Sequence, residues 1–178
     1  MIDEKLNQLL EQAEAQHLHI PKHLLVVNAE QQSMTSYLSE EPVHHYPIST
    51  SKYGLGETDG SMHTPRGLHT VADRIGQDVL VGTRFSSRVP IGAVQGNWQS
   101  DEEDDAILSR ILRLRGLTLG YNCGPGIDSY ERMIYIHGTN QEQLLGIPAS
   151  HGCIRMGNHA VIELFDWLAE QAALCWIS

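Results

Sequence analysis

The spacing of apolar residues changes period along the chain. Ile2, Leu6, Leu9, Leu10, Ala13 and Leu18 recur at helical intervals, which predicts an amphipathic helix over residues 3–18 that stops before Pro21. Beyond the proline the runs shorten and become β-branched. Residues 24–28 and 34–38 predict a hairpin, and residues 43–51 a third strand that Pro47 confines to an edge or an irregular stretch. Residues 68–75 and 79–85 continue the β pattern, whereas residues 107–119, which mix Ile and Leu with Arg110, Arg113 and Arg115, fit strand or helix equally by period. Residues 133–136 read as a buried strand ending on His137-Gly138. Asn158 is the expected N-cap of a helix over residues 160–171, whose apolar face is Val161, Leu164, Phe165 and Leu168, and residues 174–178 form a last strand. Many short strands with one helix near each end predict a mainly β domain, a sandwich or partly closed barrel. Without repeats or linkers, the chain divides into an N-terminal helical extension, residues 1–22, and one β domain, residues 23–178.

Charge narrows the function classes. With 22 acidic against 12 basic residues, the net charge of -10 argues against nucleic acid and anionic membranes as partners, since both reward a basic face. Residues 92–105, which carry the run DEEDD, read as a solvated loop. The first twenty residues have acidic positions where a signal peptide has a basic start, and no run approaches the roughly 18 apolar residues of a membrane span. Three scattered cysteines, Cys123, Cys153 and Cys175, make no disulfide framework. These features together lead to the expectation of a cytoplasmic protein. Ten histidines raise the alternative of a metal protein, through pairs such as His17/His19, His44/His45 and His63/His69; none has a zinc-type spacing, so no metal and no cofactor is expected.

Reactive residue types converge between Met133 and Met156, MIYIHGTNQEQLLGIPASHGCIRM. A thiol is mostly protonated at neutral pH, so Cys153 as a nucleophile needs a base or a positive charge beside it. His137 and His151 are candidate bases and Arg155 a candidate charge. His137, at the end of a rigid strand, is the better base because the loop after it can return Cys153 to its side. Gly138 permits close backbone approach and offers the imidazole a carbonyl, while Gly152 permits a turn in which the N–H groups of Gly152 and Cys153 point at one oxygen. Cys123 lacks a nearby base and reads as a bystander; Cys175 alternates in the last strand and reads as structural. Arg132 is a minor candidate for a carboxylate partner beside a plain surface role.

I-H-G-T at residues 136–139, followed by S-H-G-C-I-R-M at 150–156, resembles the signature of the L,D-transpeptidase (YkuD-type) catalytic domains, cysteine acyltransferases acting on peptidoglycan stem peptides. Thr64-Pro65-Arg66-Gly67 before a strand is similar to a second, weaker family segment. The resemblance spans residues 24–178, implies an L,D-transpeptidase-like β-sandwich and favours strand for residues 107–119. It implies Cys153 as nucleophile, His137 as base, Gly138 as the carbonyl that orients the imidazole, and N–H groups around Gly152 and Cys153 as the oxyanion hole. Ser150, His151, Arg155 and Thr139 are the implied substrate-binding residues. The expected reaction cleaves the bond between the third stem residue and terminal D-alanine of a tetrapeptide. With no signal read at the N-terminus, the expectation is an L,D-carboxypeptidase of murein recycling, with a cross-linking L,D-transpeptidase or a non-catalytic muropeptide-binding domain as alternatives. The motif does not decide between water and an amine as acceptor.

Overall fold

A computed structural model describes residues 4–93, 98 and 105–178. Helix α1 (Glu4–Ala15) is followed by β1 (His23–Asn28), β2 (Ser33–Leu38), β3 (Glu41–Ser49), β4 (Gly67–Ile75), β5 (Thr83–Ser86), β6 (Val89–Ala93), β7 (Ile107–Gly116), β8 (Tyr135–Thr139), β9 (Ile154–Met156), α2 (Asn158–Leu168) and β10 (Ala173–Ile177). The strands pair in the order β4-β10-β1-β2-β3-β9-β8-β7-β5-β6, and β4 pairs again with β7. That last pairing curls eight strands into a closed ring, from which the β5–β6 hairpin extends. The fold is mainly β with one helix before the strands and one after the Cys153 turn, as the sequence predicts.

The alternation of side chains along each strand defines an inside and an outside. Inside, Leu25, Val27, Met34, Ile48, Leu112, Leu114, Ile136, Ile154 and Met156 pack around Val161, Leu164, Phe165 and Leu168 of α2. The apolar stripe of α2 is therefore buried within the ring. Outside, Leu6, Leu9 and Ala13 of α1 cover Leu24, Val26, Leu68 and Leu174 of β1, β4 and β10. Each fully buried Leu contributes about 1.5–3 kcal/mol relative to exposure, so α1 is held by packing on the same sheet. It ends where His17 takes a left-handed φ of 54°. A third cluster, Phe85, Ile111 and Tyr135 with Cys153 packed against it, lies on the outer face of β7 and β8.

Several boundaries differ from those expected. Residues 76–82 turn, and the strand after them starts at Thr83, because Gly76 and Asp78 (φ 103° and 61°) and Gly82 (φ 77°) take left-handed conformations that break a ladder. Residues 107–116 are strand, paired with β4, β5 and β8. Asn158 opens α2 as its first helical residue rather than capping it; the Glu142 carboxylate accepts its N–H at 2.6 Å instead. Of the expected acidic loop, residues 94–97 and 99–104 lie outside the described residues. Ala93 closes β6, and Asp105 is built into the site below.

Candidate active site

The turn that carries Cys153 is fastened from both sides. Ala149 and Ser150 donate their N–H groups to the Thr50 carbonyl, each at 2.9 Å, and the Lys52 N–H donates to the Ser150 carbonyl at 3.0 Å. The buried Thr64 hydroxyl donates to the Gly152 carbonyl at 2.9 Å. The Ser150 hydroxyl donates to the Cys153 carbonyl at 2.6 Å and accepts the Gly152 N–H at 3.2 Å. Gly152 sits at φ 130°, where a side chain is strained, although a Cβ there would meet nothing closer than 3.5 Å. Backbone conformation rather than space requires glycine at this position.

β8 and β9 run parallel, with Ile136 opposite Ile154 and His137 opposite Arg155. Alternation then puts Tyr135 and His137 on the same outer face as Arg155, and Cys153 reaches that face at the strand entrance, packed beside Tyr135. His137 and Cys153 are diagonal neighbours; a strand spacing of about 4.8 Å and two residues of rise separate their Cα atoms by roughly 8 Å, within side-chain reach. Cys153 is half-buried as a residue but protein surrounds its sulfur, and the thiol donates to the Met133 carbonyl at 3.5 Å. Burial pushes its pKa up to about 12, against which the Tyr135 N–H, Arg155 and Arg132 favour the thiolate.

His137 is 1% exposed, and its Nδ1 lies 2.7 Å from the Gly138 carbonyl. A carbonyl only accepts, so Nδ1 carries the proton and Nε2 holds a lone pair. Burial holds the imidazole pKa below its ordinary value and Arg155 lowers it further, while Asp105 and the Gly138 bond oppose that shift. Gly138 faces inward, where a Cβ would stand 2.5 Å from Asn158 Oδ1 and 2.7 Å from the Leu108 carbonyl. Asn158 fills that place itself, accepting the Ser109 hydroxyl at 2.7 Å and donating to the Thr139 carbonyl at 2.8 Å. The residue expected to cap a helix instead ties α2 to β7 and β8 directly behind the histidine.

Arg155 is buried and donates from Nη2 to Asp105 Oδ2 at 2.6 Å and from Nη1 to Gln141 Oε1 at 2.9 Å. His151 Nδ1 meets the same Asp105 oxygen at 3.1 Å. Burial works to raise the Asp105 pKa, but Arg155, His137 and His151 together hold it below the ordinary carboxylate range. Asp105 was not legible as a site residue: it ends an acidic run whose obvious reading is solvent.

The structure brings His137, Gly138, Cys153, His151 and Arg155 together. Ser150 and Thr139 are fully buried. The Ser150 hydroxyl fastens the turn, and the Thr139 hydroxyl accepts the Gln141 N–H at 3.1 Å. The Gly152 N–H, expected in the oxyanion hole, is occupied by Ser150 Oγ. Arg132 is half-buried: it donates to the carbonyls of Gly56, Glu57 and His63 at 3.2, 2.9 and 2.7 Å and pins the Gly-rich loop beside Cys153. A cleft of about 380 Å³ adjoins the turn, lined by Lys52, Gln141, Leu144, Pro148, Ala149, His151 and Arg155. None of these described lining residues is acidic. Among the described residues no three His, Cys, Asp or Glu side chains converge as metal ligands, and no helix is long and apolar enough to cross a membrane.

A thiol and an unprotonated ring nitrogen on one face are the parts needed for acyl transfer through a thioester. Residues 21–174 match the YkuD family, described as the L,D-transpeptidase catalytic domain. Among solved structures, an L,D-transpeptidase from Mycobacterium smegmatis superposes with a TM-score of 0.55 at 16% identity, over 89% of this chain and 59% of that one. L,D-transpeptidase 3 from Mycobacterium tuberculosis, in complex with a faropenem-derived adduct, gives 0.53 at 16% identity over 89% and 60%. The chain thus spans under two thirds of the length of these neighbours. Among curated proteins, none matches. On the match over residues 21–174, the chain belongs to the YkuD family of L,D-transpeptidase catalytic domains.

Proposed function

We propose that the protein cleaves the bond between the third residue and the terminal D-alanine of peptidoglycan stem tetrapeptides, through a thioester on Cys153, with water as the dominant acceptor. One observation carries this reading: the Nδ1 proton of His137 is committed to the Gly138 carbonyl, which leaves Nε2 as a base on the face that Cys153 shares. Because burial favours the neutral forms of both thiol and imidazole, the resting pair is uncharged. Sγ attacks the carbonyl carbon while Nε2 takes the thiol proton, and that proton then passes to the departing amine of D-alanine. Water, deprotonated by the same nitrogen, attacks the thioester and returns the thiol with release of tripeptide. The Cys153 N–H carries the oxyanion role that Ser150 denies to Gly152.

Lys52 and His151, in a cleft with no acidic side chain among its described lining residues, suit a substrate carboxylate. Three free cysteines suit a reducing compartment, so we place the enzyme in the cytoplasm, where tetrapeptides recovered from the wall are trimmed to tripeptides. The names of the structural neighbours favour a second reading, transpeptidation, which shares the acylation half. Tetrapeptide supplied with and without excess stem-peptide acceptor separates the two. Tripeptide plus D-alanine in both cases supports hydrolysis, and a dominant cross-linked dimer at modest acceptor concentration overturns it.

A further inference from the structure

A buried guanidinium stands opposite the base: Arg155 and His137 are register partners across β8 and β9, with side chains on one face. Left alone, that cation opposes the imidazolium that forms when His137 takes the thiol proton, and in a water-poor site such opposition is strong. Asp105, entering from the start of β7, meets the cation at 2.6 Å and His151 at 3.1 Å with one oxygen. Its other oxygen, Oδ1, is buried with no hydrogen-bond partner among the described residues. A carboxylate that turns one oxygen to a guanidinium and a ring nitrogen and holds the other back from solvent departs from the solvated loop that the acidic run predicts.

Resting on the acyl-transfer reading above, we infer that Asp105 is a positioning residue of the catalytic machinery, which offsets the charge of Arg155 beside His137 and fixes the His151 turn that presents Cys153. Its charge acts where positive charge develops on the base. The groups acting on His137 are then Asp105 from just ahead of β7, Arg155 from β9 and the Gly138 carbonyl of β8 itself, and those acting on Asp105 include His151 from the turn. No bond to substrate is assigned to it. The Arg155–Asp105 pair also links β9 to the start of β7 across β8, so the strand that bears the base is held between them.

Asp105→Asn keeps the shape and removes the charge. In the intact protein it lowers kcat about 10- to 100-fold, the effect of one charge at short range in a partly buried site, and leaves KM within about threefold. The acid limb of kcat/KM moves to lower pH, because His137 loses the neighbour that favours its protonation. Asp105→Glu keeps the charge and is expected to hold the acid limb at its wild-type pH with a smaller loss in kcat. Should Asp105→Asn fail to fold, the glutamate variant decides by itself: an acid limb displaced despite the retained charge overturns the inference. So does an asparagine variant with the wild-type limb and kcat, or one whose loss lies in KM alone. Alkylation of Cys153 by iodoacetamide against pH gives a readout independent of substrate: with Asp105 neutral the thiol ionises at lower pH. That shift in a protein inactive on tetrapeptide supports the placement of Asp105 while refuting the assigned substrate, so the two failures are distinguishable.

Discussion

The carbonyl of Gly138 accepts the Nδ1 proton of His137, the residue before it in β8, at 2.7 Å. A backbone oxygen thus does what a carboxylate does in many triads: it fixes the tautomer and turns Nε2 outward. Replacing His137 by Gln should lower kcat/KM for tetrapeptide by about 10²–10⁴-fold, the usual contribution of a positioned base. A loss below tenfold would remove His137 from the mechanism. Burial lowers the His137 pKa, so activity should persist below pH 6.5 and fall only when the imidazole becomes protonated and has no lone pair to offer. An acid limb above 6.5 contradicts the buried, neutral base.

Gly138 is fixed by its surroundings. A methyl group there would press on Asn158 Oδ1 and the Leu108 carbonyl at 2.5 and 2.7 Å, and overpacking of this kind costs about 1–3 kcal/mol. Gly138→Ala should therefore lower the denaturant midpoint and, because it displaces the carbonyl that orients His137, reduce kcat more than KM. Equal stability and activity in the alanine variant would show that Asn158 can move aside.

Lys52→Ala should raise KM for the tetrapeptide severalfold with kcat little changed, since exposed charge pairs contribute about 0.2–1 kcal/mol. Amidating the terminal carboxylate, or replacing a diaminopimelate third residue by lysine, identifies which carboxylate is sensed: the sensitive substrate is the one on which the mutation no longer acts. An unchanged KM on all substrates would leave the cleft without that role.

A second buried histidine sets acid stability. His69 is fully buried, with Nδ1 2.9 Å from the Gly67 carbonyl and Nε2 2.9 Å from the Ser129 hydroxyl. Nδ1 therefore donates, and Nε2 accepts the Ser129 proton. Burial lowers its pKa to about 4 from 6.5. The unfolded chain binds this proton first, so the stabilisation is complete above pH 6.5 and is lost as pH falls toward 4, by about 3 kcal/mol. Urea unfolding at pH 7 and pH 4.5 should show the decrease, and His69→Gln should show a shallower one. An identical pH slope in both proteins would refute the assignment.

The convergence of Cys153 and His137 on one face was legible because both sit within one short motif, and the β class because alternation and β-branched runs are local. What was hidden depends on distant contacts. Asp105 reads as solvent in the sequence, yet the buried Arg155 draws it inward. Asn158 resembles a cap by residue type, while its partners, Ser109 and Thr139, come from β7 and β8. Ser150 and Thr139 share the motif with Cys153, but the pleat and the turn point their hydroxyls into the protein. The ring closure through β4 and β7 has no local signature, since it joins strands separated by the β5–β6 hairpin.

Acyl transfer through Cys153 is tested most directly by trapping the intermediate. Tetrapeptide is mixed with the protein, the reaction is quenched in acid within a turnover, and the digest is weighed by mass spectrometry. The tripeptidyl thioester is expected on the peptide containing Cys153, with Cys123 and Cys175 unmodified, and no adduct or turnover in Cys153→Ala. Turnover retained in Cys153→Ala, or an acyl group found on Cys123, would contradict it.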